Sequence, residues 1–204
     1  MKNMDRLVDD MVSSGMLKSP LLIDAFRTID RKYFVPDEYA DEAYADMPLP
    51  IGNYQTISQP STVAFMLERL DTQQGNKVLD IGSGSGWTTA LLCYIVGDKG
   101  SVIGIERVES LVDQGSENLS KFRFDTDCHI EGSGDKLGIP GEQFDRILVS
   151  ASADEIPEGL FAQLKTGGIL VIPIGESIFK FTKVSETVVE KEEFYGFVFV
   201  PLIY

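Results

Sequence analysis

Histidine and cysteine are nearly missing from this sequence: one histidine, His129, and two cysteines, Cys93 and Cys128, stand among 204 residues. A site needing several histidines is excluded, and with it most zinc hydrolases and di-iron bundles. No metal is expected. Cys93 and Cys128 each fall in an apolar or alternating run, so two buried free thiols are expected rather than a disulfide or a metal pair. Positive charge is also short. Eighteen lysines and arginines against 32 aspartates and glutamates leave a net charge of −14. A basic surface for phosphates or anionic lipid is therefore lacking, and neither nucleic acid nor membrane is an expected partner. An acidic surface favours a soluble monomer. No apolar run reaches the roughly 18 residues that a spanning helix needs. The stretch MKNMDRLVDDM has no apolar signal core, so a cytoplasmic location is expected.

What is present fits one ordinary globular domain over 1–204. Hydrophobic residues make up 43% of the chain, enough for a substantial core. Met4, Leu7, Val8 and Met11 recur at helical spacing, and Gly15 stops that helix. Pro20 opens a second one, carrying Leu22, Ala25, Phe26 and Ile29. Residues 33–61 differ in kind, with four prolines, four tyrosines and no clear period. A stretch that long in a compact domain has a function or short structure of its own. It reads as a covering segment over a site, so 1–61 form the N-terminal helices and substrate-covering part. From 62 to 176 helix and strand alternate: a helix over 62–70, strands at 77–81, 101–105, 144–149 and 169–172, and helices from Ser85 or Gly86 and from Glu109 to Lys121. Phe122, Phe124, Cys128 and Ile130 suggest a further strand, and 157–164 a helix. The part 177–204 reads as two strands turning at Glu190–Glu193. This order predicts a doubly wound α/β fold: a mainly parallel, seven-stranded, Rossmann-like sheet with helices on both faces and an antiparallel edge.

The strand Lys77–Ile81 runs straight into Gly82-Ser83-Gly84-Ser85-Gly86, and a helix follows. Glycines at such a turn permit positive φ and close approach of a ligand, and the free N–H groups of the helix start face it. No Gly-Lys-Ser/Thr follows, so this is no P-loop. Trp87 and Thr89 stand where a dinucleotide fingerprint starting at Gly82 or Gly84 needs glycine, and a bulky Trp87 would crowd a pyrophosphate. The loop suits a cofactor without a phosphate bridge. Asp80 can help hold a cationic amino group, directly or through water. Glu106, at the tip of the next strand, can accept hydrogen bonds from ribose hydroxyls. S-adenosyl-L-methionine carries both groups.

These residues resemble the protein-L-isoaspartate O-methyltransferase family over nearly the whole chain. Most specific are Pro48-Leu49-Pro50-Ile51-Gly52 and Gln55-Thr56-Ile57-Ser58-Gln59-Pro60. Val78 to Gly86 resembles the family's cofactor loop, and Ile105-Glu106-Arg107 its ribose-binding strand end. Phe144-Asp145-Arg146-Ile147, Val171-Ile172-Pro173-Ile174-Gly175 and Phe199-Val200-Pro201-Leu202 continue the likeness. Three positions depart from the family's usual pattern. Tyr54 stands where glycine is common, and Ser61 where an aromatic residue or histidine is common. Ser133 replaces the aspartate of a Gly-Asp-Gly that meets the adenine amino group, with Asp135 nearby as a substitute.

The resemblance implies a methyltransferase of the class I S-adenosylmethionine-dependent fold. It would act on the free α-carboxylate of L-isoaspartyl residues in damaged proteins or peptides, releasing S-adenosyl-L-homocysteine and starting repair through a succinimide. It implies Ser58 at the reacting carboxylate, and Ile51, Thr56, Ile57, Gln59, Val200 and Leu202 around the substrate. The cofactor would lie against Asp80, Gly82, Ser83, Gly84, Ser85, Gly86, Glu106, Arg107 and Ser133. Two other readings remain open. One is a methyltransferase of the same fold acting on another peptide aspartyl carboxylate. The other is a cofactor-binding protein that has lost catalysis and works through a partner. A nucleotide-dependent oxidoreductase is the weakest rival.

Overall fold

A computed structural model describes residues 3–204. Helix α1 (Met4–Ser13) buries Met4, Leu7, Val8 and Met11, the residues its periodicity singles out. Helix α2 (Pro20–Thr28) begins with Pro20 in its first turn, where a missing N–H costs nothing. The covering segment then acquires structure of its own. Two short 3₁₀ turns, Arg31–Phe34 and Asp37–Glu42, precede an antiparallel hairpin of β1 (Leu49–Gly52) and β2 (Gln55–Ile57). Helix α3 (Pro60–Leu70) follows.

The remaining strands are β3 (Lys77–Ile81), β4 (Ser101–Glu106), β5 (Asp127–Gly132), β6 (Phe144–Val149), β7 (Leu164–Ile174), β8 (Ser177–Lys183) and β9 (Val189–Tyr195). They form one sheet in the order β5-β4-β3-β6-β7-β8-β9. The first five run parallel, and β8 and β9 are antiparallel. The chain starts at the central strand β3, winds out to β5, returns to β6 beside β3 and winds the other way. That reversal puts a crevice at the C-terminal tips of β3 and β6, where open α/β sheets bind ligands.

Right-handed crossovers in opposite directions fall on opposite faces. Helices α4 (Trp87–Val96) and α5 (Glu109–Ser120) share one face with α1 to α3, packed on Val78, Val102, Leu148 and Val171. The other face, with Leu79, Ile105, Ile147 and Ile172, is covered by the 3₁₀ turn Glu158–Gln163 and its neighbouring loops. Helix α4 is apolar nearly all round because α2 covers the side away from the sheet.

Four expectations need correction. The run Glu190–Glu193 is no turn. It lies inside β9, and the reversal falls at Val184–Val188. Charge marks it as an exposed edge strand, protected from pairing with other chains, and Lys180 meets its cross-strand partner Glu192 at 2.9 Å. Strand β5 starts at Asp127, so Phe122 and Phe124 precede it; Phe122 stacks on Phe34 instead. Trp87 crowds no ligand phosphate. Its ring is 1% exposed, meets Phe26 edge-on, and donates from Nε1 to the Ile29 carbonyl. Finally, Cys93 and Cys128 form a disulfide between α4 and β5 rather than two free thiols. The residues are far apart in the chain, but the α4–β4–β5 winding brings their Cα atoms to 6.0 Å, within bridging range.

This disulfide closes a loop with a sequence separation of 35 residues, for which chain entropy gives roughly 3–4 kcal/mol of stabilisation. We expect Cys128→Ala to lower the free energy of unfolding by that order. Thiol titration under denaturing, non-reducing conditions should find no reactive cysteine in the unmodified protein. Two titratable thiols would show that the bridge does not form.

Candidate active site

The site is built mainly from backbone. Gly82, Gly84 and Gly86 take φ of 77°, 53° and 89°, so the turn after β3 needs the freedom that glycine has. The N–H groups of Gly82 and Ser83 both donate to the Ile105 carbonyl, at 2.9 and 3.1 Å, tying the turn to the tip of β4. Glu106 closes the junction. Its Oε2 accepts from the Gly84 N–H at 3.0 Å, and its Oε1 accepts from Arg107 and Val108 N–H at 2.8 and 2.9 Å. A carboxylate has about four acceptor positions, so capacity remains for ligand hydroxyls.

Asp80 lies behind this turn, fully buried. Its Oδ2 accepts from Thr88 and Thr89 Oγ1 at 2.8 and 2.7 Å, fixing the first turn of α4 against β3. Burial pushes its pKa up to about 6, against the lowering effect of the two threonine hydroxyls. Oδ1 has no partner among the described residues, and neither does the buried Ser83 Oγ.

A cleft opens over the strand tips, lined by Ile51, Thr56, Gly82, Gly84, Glu106, Arg107, Ser133, Val200 and Leu202 among others. An adjoining cavity brings Ile57 and Ser58 together with Gly82, Ser83, Gly84 and Ser85. A third, outward recess contains Ser58, Gln59 and Val200. The residues named in the sequence as cofactor-binding and as substrate-binding thus meet at one place. Asp80 and Gly86 stand behind it. Gly86 is needed for packing: a Cβ there would lie 3.0 Å from the Gly115 carbonyl of α5. The N–H of Ser133 donates to the Glu106 carbonyl at 2.9 Å. Lys136 and Leu137, rather than Asp135, line the cleft beyond it.

Comparison with known proteins decides what this arrangement is. The family model for protein-L-isoaspartate(D-aspartate) O-methyltransferase matches residues 2–204. The chain belongs to that family. The isoaspartate methyltransferase relative from Methanopyrus kandleri is 40% identical, covering 98% of this chain and 90% of the relative. The one from Thermococcus sibiricus is 41% identical, covering 97% and 92%. Among solved structures, a candidate isoaspartate methyltransferase from Plasmodium falciparum, crystallised with S-adenosyl-L-homocysteine, superposes with a TM-score of 0.87 at 27% identity over 99% of both chains.

Within this methyltransferase fold, Ser58 caps no helix. The N-cap of α3 is Gln59, without a side-chain cap bond, and Asp46 accepts from the Ser61 N–H at 2.9 Å instead. Ser58 is held through its carbonyl, which accepts from Arg31 Nη2 at 3.2 Å. Arg31 escaped notice in the sequence, because nothing marks one arginine in a polar stretch as buried. Ser150 also escaped, although it lines all three recesses. It follows β6, and a strand tip beside the glycine turn is a readable signal. Gly104 and Gly115 were readable too, as glycines inside a strand and a helix. A Cβ on Gly104 would meet Ile130 Cγ1 and Thr89 Oγ1 at 2.9 Å; one on Gly115 would meet the Gly84 carbonyl at 3.0 Å. His129, by contrast, sits on β5 beside Asp127 and outside the cleft.

Two predictions follow from the buried carboxylate and the close glycine contact. The folded pKa of Asp80 is raised, so the folded state loses stability as pH climbs from the unfolded value of 3.8 to about 6, and the loss stays constant above that. Asp80→Asn removes this cost, and we expect ~1–3 kcal/mol greater stability at pH 8 but little change at pH 3.5, read by denaturant titration. A variant equally destabilised at both pH values would contradict this. Gly115→Val should push the turn at Gly84 outward; calorimetry should show cofactor affinity falling about tenfold or more, the scale of roughly 1.4 kcal/mol.

Proposed function

We propose that this protein transfers a methyl group from S-adenosyl-L-methionine to the free α-carboxylate of L-isoaspartyl residues in damaged proteins or peptides. The observation that carries this is the meeting of Ser58 and the glycine turn in one cavity, in a chain whose family is named for that acceptor. The residues fit the cofactor. The turn is free of Cβ atoms where close approach is needed, Glu106 faces the cleft, and Ser83 Oγ, on a residue lining the adjoining cavity, has no partner among the described residues.

In this reading Gly82, Gly84 and Ser85 give main-chain contact to the amino-acid end of the cofactor, and Glu106 accepts from its ribose. Arg107 and Ser133 border the base. The ionised Asp80 supports the cationic end through its field. S-adenosyl-L-methionine, when bound, supplies an electrophilic sulfonium methyl. The acceptor carboxylate is ionised at neutral pH, its reference pKa being near 4, so no general base is required. Ser58 donates a hydrogen bond that orients this carboxylate, a geometric role whose value lies in alignment. Ile51, Thr56, Ile57, Gln59, Val200 and Leu202 wall the acceptor's surroundings and exclude water. The methyl ester then closes to a succinimide without further help from the enzyme, as the following backbone amide nitrogen attacks the ester carbonyl, loses its proton and expels methanol.

The decisive assay compares an isoaspartyl peptide with its aspartyl twin, using labelled cofactor. Labelling of the isoaspartyl peptide alone is expected, and equal labelling of both would favour the second acceptor. Ser58→Ala should lower kcat ten- to a hundredfold, on the scale of one orienting hydrogen bond, with cofactor affinity unchanged; an unaltered kcat removes Ser58 from the mechanism. Glu106→Ala should weaken S-adenosyl-L-homocysteine binding in calorimetry, and undiminished affinity would refute the ribose contact.

A further inference from the structure

The hairpin over the cleft carries a residue that its own fold does not explain. Gly52 pairs with Gln55, so β1 and β2 are joined by only two residues, Asn53 and Tyr54. Both have positive φ, 52° and 59°, as a type I′ turn demands. Asparagine tolerates this conformation and glycine suits the second position, but a tyrosine there is disfavoured. A packed ring could offset that cost, yet Tyr54 is fully exposed.

The surroundings restrict what the ring can serve. Asn53 Nδ2 donates to Ser110 Oγ at 3.0 Å, fastening the turn to the first residues of α5. Gln55 and Thr56, next in the chain, line the cleft, while Tyr54 does not. The ring therefore stands on the rim, outside the walls that enclose a small cofactor. Only a ligand that extends out of the cleft can reach it. Ser58 lies four residues further along β2 and its continuation, about 13 Å at strand rise. That distance equals about four residues of extended peptide.

We propose that Tyr54 is a specificity-determining residue that packs against the polypeptide substrate about four residues from the acceptor. This rests on the isoaspartyl reading above. The backbone conformation is retained because it aims an aromatic ring outward, where it stacks on apolar, proline or arginine side chains of the substrate's flank.

The test uses the full chain and two isoaspartyl peptides, one extending two residues on each side of the acceptor and one extending six. Tyr54→Gly should raise KM for the long peptide about three- to tenfold, the worth of one aromatic contact, and leave KM for the short peptide within about twofold. Tyr54→Phe should keep most of the long-peptide advantage. Dissociation constants for S-adenosyl-L-homocysteine should agree within about twofold among all forms, and the melting temperature of Tyr54→Gly should not fall, since the turn accepts glycine. An unchanged KM for the long peptide overturns the proposal. So does an equal rise for both peptides, which would place the effect inside the cleft, and so does a parallel loss of cofactor affinity, which would make Tyr54 a cofactor cover. If the unmodified protein methylates neither peptide, the functional reading fails and the proposal for Tyr54 falls with it.

Discussion

A single buried cation holds the covering segment in place. Arg31 is wholly inaccessible to solvent, and its guanidinium donates to the carbonyls of Ala43, Ala45, Met47 and Ser58 at 2.9–3.2 Å. Its charge also lies 5.5 Å from the Trp87 ring. Burying an unpaired cation costs several kcal/mol, and desolvation lowers its pKa to about 10, with the nearby Asp46 opposing that. At neutral pH the group stays charged, and its cost is offset by main-chain carbonyls of an irregular segment. Among the described residues, only the Ala45 carbonyl of these four also accepts from a backbone donor, the Met47 N–H at 2.9 Å. The segment lacks a hydrogen-bond ladder over 43–48, and Arg31 substitutes for one. Ser58 owes its position to the same fork, so the acceptor side of the site depends on a residue that touches no ligand.

The cofactor side is fixed differently. There the sheet provides the geometry, and Glu106 converts it into a closed junction by accepting from three backbone donors around two strand tips, Gly84 on the glycine turn and Arg107 and Val108 after β4. Side chains do little of the shaping. What matters is the absence of Cβ atoms at Gly84, Gly86, Gly104 and Gly115, which lets turn, strand and helix approach within contact distance. Backbone set by a hydrogen-bonded sheet moves less than side chains do, which suits a reaction that depends on alignment.

The fold was legible wherever local pattern and tertiary environment agreed. Lys77–Ile81 and Phe144–Val149 were readable to the residue because central parallel strands are buried on both faces and flanked by turns. At the sheet's outer edge that agreement ends. Glu190, Glu192 and Glu193 look like a turn because charge is the common mark of loops, yet on an edge strand charge blocks unwanted pairing. The Cys93–Cys128 bridge was hidden for another reason: the two residues become neighbours only through the winding of β3, β4 and β5. The glycine turn and Glu106 were visible as a motif. Arg31 was not, because its role lies in distant carbonyls that no spacing encodes.

The net charge of −14 at first disfavours a substrate that must present a carboxylate. The distribution resolves this. The acidic residues cluster on α1, on 37–46 and along β9, and Glu106 is the one acidic side chain among those lining the main cleft, where Arg107 and Lys136 stand beside it. Interactions between exposed charges fade beyond a screening length of about 8 Å at physiological salt, so the outer acids act weakly on a group inside the cleft. Glu106 is further muted by its three N–H donors. The field an entering carboxylate meets is set by these nearby groups and by the N–H groups of the glycine turn. The bulk charge bears on solubility, whereas the local backbone governs the chemistry, and the two reside on different residues.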